Sequence, residues 1–206
     1  MANSENASQK TLSTRLIAEI GMLGAAAGVL MFLEIPLAMI APSFYKLDFS
    51  EVPVMVGAFA LSPIAGVLIE LIKIIIHLIF KGTQTAFVGE IANFAMGCAY
   101  IVPAAIIYRW NHNKSRAHAA IGMVVGTLVT TVVACFLNAY VLLPAYSAAF
   151  HAPIETFIEM GSAIRPGVNG LMAFALFIVA PFNLLKYALV SIIVFVIYKR
   201  IRTILK

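Results

Sequence analysis

Six ionisable side chains lie inside apolar runs of this chain: Glu19, Glu34, Glu70, Lys73, Glu90 and Lys186. Asn93, Asn138 and Asn183 are neutral companions in the same kind of surroundings. In a lipid-facing context a charge near the bilayer centre costs about 2.5–3.5 kcal/mol on insertion scales, so each is a functional candidate. Asn183 and Lys186 are three residues apart and share a helix face. At about 1.5 Å rise per residue they fall about 6 and 10 Å below an outer helix start near residue 179. By the same measure Asn138 lies about 9 Å below the outer end of its helix, and Glu90 and Asn93 about 6 and 10 Å below the start of theirs. Three helices thereby place polar groups in one outer layer, which reads as a ligand pocket rather than as isolated interhelical hydrogen bonds. Glu70 and Lys73, also three apart, read as a mutually neutralising structural pair. Glu19 and Glu34 fall near opposite ends of the first helix and read as interfacial anchors.

The chain carries no pattern for energy conversion or for hydrolysis. The phosphate-binding pattern G-x-x-x-x-G-K-[ST], H-E-x-x-H and G-x-S-x-G are all absent. His77 and His151 are isolated, and His112 and His118 belong to a basic loop, so no metal site or catalytic residue is expected. An intramembrane enzyme using Glu70 or Glu90 as acid or base stays open as an alternative. Cys98 and Cys135 both lie in apolar runs and read as small core residues.

Elements of an all-α polytopic membrane protein must hold these groups. Of 206 residues, 62 % are hydrophobic and 11 % charged, with mean hydropathy +0.99. A soluble domain has about 25 % charged residues, and a membrane barrel would alternate apolar and polar over about ten residues. The breaks predict six transmembrane helices, near 16–37, 52–61, 64–80, 86–109, 119–143 and 179–200. Ser62-Pro63 divides the second from the third, Pro144 closes the fifth and Pro181 opens the last. Long extracellular loops follow helices 1 and 5, and 145–178 is expected to hold a surface helix or a partial span. With both termini cytoplasmic, nine of the fourteen basic residues fall inside: Lys10, Arg15, Arg109, Lys114, Arg116, Lys199, Arg200, Arg202 and Lys206. The outer loops carry Lys46, Lys81 and Arg165, which satisfies the positive-inside rule. The formal charge of +5 is therefore topology, and no nucleic-acid partner is expected. The whole of 1–206 reads as one membrane-embedded domain, with the lipid bilayer as its surroundings.

The segment Lys46-Leu-Asp-Phe-Ser-Glu-Val-Pro-Val-Met-Val-Gly-Ala-Phe-Ala-Leu-Ser-Pro63, continued by Gly66-Val-Leu-Ile-Glu-Leu-Ile-Lys73, resembles riboflavin-specific substrate-binding subunits of energy-coupling factor (ECF) transporters. Pro181-Phe-Asn-Leu-Leu-Lys186 and Asn138 near Pro144 fit the same family. The resemblance implies a riboflavin pocket open to the outside and covered by the loop at about 37–50, with Phe44, Tyr45 and Leu47. It assigns polar ligand contacts to Asn138, Asn183 and Lys186, and makes Glu90 and Asn93 candidates for the ribityl hydroxyls. Riboflavin is then a transported ligand and not a cofactor; whether FMN also binds is left open, as is another vitamin on the same scaffold. Energy would come from partners, a transmembrane coupling subunit and two ATPase subunits. Related subunits often carry A-x-x-x-A on the first helix for docking; here the small pairs are Gly21-x-x-x-Ala25 and Gly24-x-x-x-Gly28. These pairs suit either partner docking or packing within the bundle.

Overall fold

The computed structural model describes residues 13–83, 85–110 and 115–204. Lys10, Lys114 and Lys206, counted above on the inner side, lie outside the described residues.

Helix α1 (Thr14–Phe32) starts where the Ser13 hydroxyl accepts from the Leu16 amide at 3.2 Å, an N-cap. It ends five residues before the expected boundary at residue 37. Ile35–Pro36 instead form β1, which pairs antiparallel with β2 (Lys46–Leu47) to close a small hairpin. Helix α2 (Glu51–Ala60) is short and almost wholly buried, so its apolar residues face protein on every side. Its C-terminal carbonyls are met by Arg109, whose Nη1 donates to the oxygens of Leu61 (2.9 Å) and Phe59 (3.4 Å). Ser62 then caps α3 (Pro63–Lys81), accepting from the Ala65 amide at 2.9 Å, and Pro63 takes the first turn, where no amide hydrogen is needed.

Helix α4 (Val88–Trp110) packs against α5 (Arg116–Leu137) in antiparallel register. Gly122 faces the Ala104 carbonyl, Gly126 faces that of Tyr100, and Thr130 Oγ1 donates to that of Met96 at 2.9 Å. A Cβ on Gly122 would lie 2.5 Å from the Ala104 oxygen, so glycine is what allows this approach. Continued one helical turn at a time, the register sets Asn138 beside the first turn of α4.

The expected stop at Pro144 does not occur. A π-helical turn (Asn138–Leu142) carries α5 into α6 (Leu143–Phe150), with Pro144 in the first turn after the register change, where its missing amide hydrogen is tolerated. The last helix is likewise longer than expected. It begins as α8 (Leu171–Phe174), passes through a second π turn (Ala175–Val179), and continues as α9 (Ala180–Ile204). Between them lies α7 (Ile154–Ile164), a surface helix with Phe157 and Gly161 buried.

Among the described residues, five helical runs are long and apolar enough to cross a bilayer: Thr14–Phe32, Pro63–Lys81, Val88–Trp110, Arg116–Phe150 and Leu171–Ile197. The protein is a multi-pass membrane protein. Helix α2, counted as a span above, has ten residues, about 15 Å at ~1.5 Å each, against a hydrocarbon core of about 30 Å.

The small-residue stripe on α1 divides in two. Gly24 and Gly28 are buried against Ile72 and Ile76 of α3; a Cβ on Gly24 would lie 2.5 Å from Ile72 Cγ2. Ala25 is exposed, and a Cβ on Gly21 would meet nothing within 4 Å. Gly24→Leu is therefore expected to lower stability by about 1–3 kcal/mol through overpacking. Ala25→Leu should leave it unchanged. Detergent melting curves check the pair; equal effects would place Gly24 on an outer face.

Candidate functional site

The hairpin, α1, α3, α4, the first π turn, α6, α7 and α9 surround a cavity of about 610 Å³, within the usual range for small-molecule sites of about 300–1,000 Å³. Its two sides differ in chemistry. On the α6–α7–α9 side the lining is aromatic. Phe44 of the loop stacks near Tyr45 (4.7 Å between ring centroids), Tyr146 (5.6 Å) and Phe157 (6.1 Å), and Tyr45 lies 5.4 Å from Phe182. The α1–α3–α4 side presents Glu34, His77, Lys81, Thr85, Glu90 and Asn93.

The two deeply placed asparagines are held alike. Asn138 Nδ2 donates to the Ala134 carbonyl at 2.8 Å, and Asn183 Nδ2 to that of Val179 at 2.8 Å, each four residues back; Asn138 is the first residue of one π turn and Val179 the last of the other. Both amides thus have a fixed orientation at points where the helix departs from regular pairing, a feature common at functional sites. The Tyr45 hydroxyl donates to Asn138 Oδ1, tying the loop to α5. Burial, foremost, raises the Tyr45 hydroxyl well above its ordinary value, so it remains a neutral donor.

Lys186 Nζ donates to Asp48 Oδ2 at 2.9 Å, and both are buried. The other Asp48 oxygen accepts from the Ser50 amide at 2.9 Å and from the Ser50 hydroxyl. Burial alone would raise the Asp48 carboxyl. The Lys186 and Lys73 charges and the Ser50 hydrogen bond outweigh it and hold the group at about 2. Because the folded value is depressed, this contribution is complete above the ordinary carboxylate range and is lost only as pH falls toward 2. The ion pair therefore persists at physiological pH.

Next to it, Lys73 bridges two carboxylates, Glu51 at 2.8 Å and Glu70 at 2.7 Å, all three fully buried. It also donates to Asn93 Oδ1 at 3.2 Å. The expected Glu70–Lys73 pair is thus a triad that includes Glu51, since α2 brings its first residue against α3. Glu70 packs on Gly97 of α4, where a side chain would occupy the carboxylate's space. At the rim Glu34 accepts from Lys46 at 2.6 Å and from Lys81, joining the link between α1 and β1 to β2 and the end of α3. Burial would raise the Glu34 carboxyl, but the two lysines bring it below its ordinary value. Glu19, by contrast, pairs with Arg15 at 2.8 Å on the surface.

The cavity brings together Phe44, Tyr45, Glu90, Asn93, Asn138, Asn183 and Lys186. Leu47, expected among them, is instead buried in the hairpin opposite Ile35 and is absent from the lining. Cys98 and Cys135 are half-buried free thiols.

A model of the ECF transporter substrate-specific component family matches residues 15–198. The chain belongs to that family. The riboflavin transporter RibU of Staphylococcus aureus (strain TCH60) is 32 % identical to this substrate-specific component over 187 residues, covering 91 % of this chain and 90 % of the relative. The riboflavin transporter FmnP of Bacillus subtilis (strain 168) is 27 % identical over 192 residues, covering 93 % and 94 %. A solved S component of a bacterial ECF transporter superposes with TM-score 0.72 at 29 % identity, covering 93 % of this chain and 98 % of that one.

Residues absent from the set expected from sequence include Asp48, which no local signal marks, and His77, which read as isolated but had a signal. Glu70, Lys73, His77 and Lys81 recur at spacings of three and four, so one face of α3 is polar along its length. Tyr146, Phe157 and Phe182 had none, because aromatics in apolar runs are ordinary.

Proposed function

We propose that this substrate-specific component captures riboflavin in the 610 Å³ cavity for import across a bacterial cell membrane. The observation that carries this is the pairing of an aromatic wall with fixed amides and an ammonium group, in a chain similar along nine-tenths of its length to transporters named for riboflavin. A flavin has a flat ring that aromatic side chains can cover and a dione edge with both donors and acceptors. Asn138 and Asn183 carry both amide functions, and Lys186 donates. Its role is binding and transport. Concentrative uptake would draw on a coupling subunit and two ATPase subunits, with Gly21 and Ala25 on the outward part of the α1 stripe available for docking. In this reading residues 1–206 form one domain, α2 joins the five long runs as a short sixth segment, and both termini are cytoplasmic.

Flavin-fluorescence titration of the detergent-purified protein tests the reading. Quenching that saturates at one flavin per chain is expected. Asn138→Ala and Asn183→Ala should each weaken binding by about five- to 150-fold, the equivalent of about 1–3 kcal/mol for a lost buried hydrogen bond, with the melting curve preserved. Absence of quenching by the parent protein would overturn the assignment.

A further inference from the structure

His77 is 7 % exposed, lines the cavity, and has no hydrogen-bond partner within the protein at either ring nitrogen. Buried polar groups are rarely left in this condition, because an unmade hydrogen bond there is costly. Glu70 on the same face of α3 also lacks a hydrogen bond at its carboxylate oxygens, but it has the Lys73 ammonium at 2.7 Å as counter-ion, and Lys73 and Lys81 are themselves ion-paired. The ring of Phe32 stacks on the imidazole at 5.7 Å and 25°, which fixes its plane. Close by on the same wall, Glu90 has its Oε2 occupied by the hydroxyls of Thr83 (3.1 Å) and Thr85 (2.9 Å), which orients that carboxylate as well.

We infer that His77 is a specificity residue that hydrogen-bonds a hydroxyl of the ligand's polyol chain, so that the α1–α3–α4 wall reads the ribityl tail while the aromatic wall covers the ring. The inference rests on the flavin assignment above. Its chemistry follows from the imidazole. A neutral ring has one donor and one acceptor nitrogen, and a hydroxyl can complement either. Successive hydroxyls on a flexible chain can meet His77 and the neighbouring Glu90 together. The flavin ring carries its donor and acceptors along one dione edge, which the reading above already gives to Asn138, Asn183 and Lys186. The ring is also matched by the opposite wall, where Phe44, Tyr45 and Phe182 lie. His77 therefore separates flavins that carry a polyol from the same ring without one.

The test compares riboflavin with lumiflavin, which keeps the tricyclic ring and has a methyl group in place of the tail. The parent protein should favour riboflavin. His77→Phe retains an aromatic ring against Phe32 and removes both nitrogens. It should reduce the riboflavin preference by about five- to 150-fold, with lumiflavin affinity unchanged. His77→Gln, which restores a donor and an acceptor, should recover part of the loss. If His77→Phe fails to fold, His77→Leu carries the same comparison. Equal weakening toward both ligands, or no change in the ratio, would overturn the role of His77. A parent protein that binds neither flavin would instead remove the flavin assignment on which it rests.

Discussion

Lys73→Met is expected to be the most damaging single substitution in the described part of the protein. It leaves Glu51 and Glu70, both fully buried, facing one another with no cation between them. Removing one partner of a buried ion pair costs about 3–5 kcal/mol, because the remaining charge has neither water nor counter-ion. Here two carboxylates lose their partner at once, and Asn93 loses a donor at the cavity wall. Most of the purified variant should be unfolded or aggregated where the parent is monodisperse. The triple change Glu51→Gln, Lys73→Met, Glu70→Gln removes every charge in the triad and should recover most of the loss, since a neutral set of similar volume carries no ionic desolvation cost. Size-exclusion profiles and melting curves of the three proteins decide it. A Lys73→Met variant as stable as the parent would show that the triad is not the ionic unit described.

The second large effect concerns Lys186, which has two tasks that can be separated. It neutralises buried Asp48, and it lines the cavity as a donor. Lys186→Met should cost about 3–5 kcal/mol in stability by stranding the carboxylate. Adding Asp48→Asn should restore most of that stability. It should not restore flavin affinity, which is expected to stay roughly ten- to 150-fold below the parent, because a hydrogen bond from a charged donor is worth about 1.5–3 kcal/mol. Thermal melts and flavin titrations on parent, single and double variants check both halves. Recovery of affinity in the double variant would mean that Lys186 serves Asp48 alone.

What the sequence determined by itself was whatever depends on local composition. Continuous apolar runs required membrane helices, Ser62-Pro63 required a break, and Ser-based caps set the starts of α1, α3 and α5. Buried polar residues were visible for a related reason: in an apolar run an Asn or Lys stands out, and its cost demands an explanation. The resemblance to ECF substrate-binding subunits rested on the Lys46–Pro63 and Pro181–Lys186 segments, both local strings.

Pairing was settled only by the tertiary structure. Asp48 and Lys186 are 138 positions apart, and Glu51 and Lys73 are 22 apart. Nothing in either string names its partner, because an ion pair is fixed by how α2 and the loop before it lie against α3 and α9. The two π turns were equally invisible. They change backbone pairing by a single residue, with no compositional mark, and they let helices continue past Pro144 and begin before Pro181 where proline alone predicts an end and a start. The glycines divide for the same reason. Gly21, Gly24 and Gly28 are chemically identical in the chain, and only the packing of α1 on α3 decides that two are filled by isoleucine while the third faces open space.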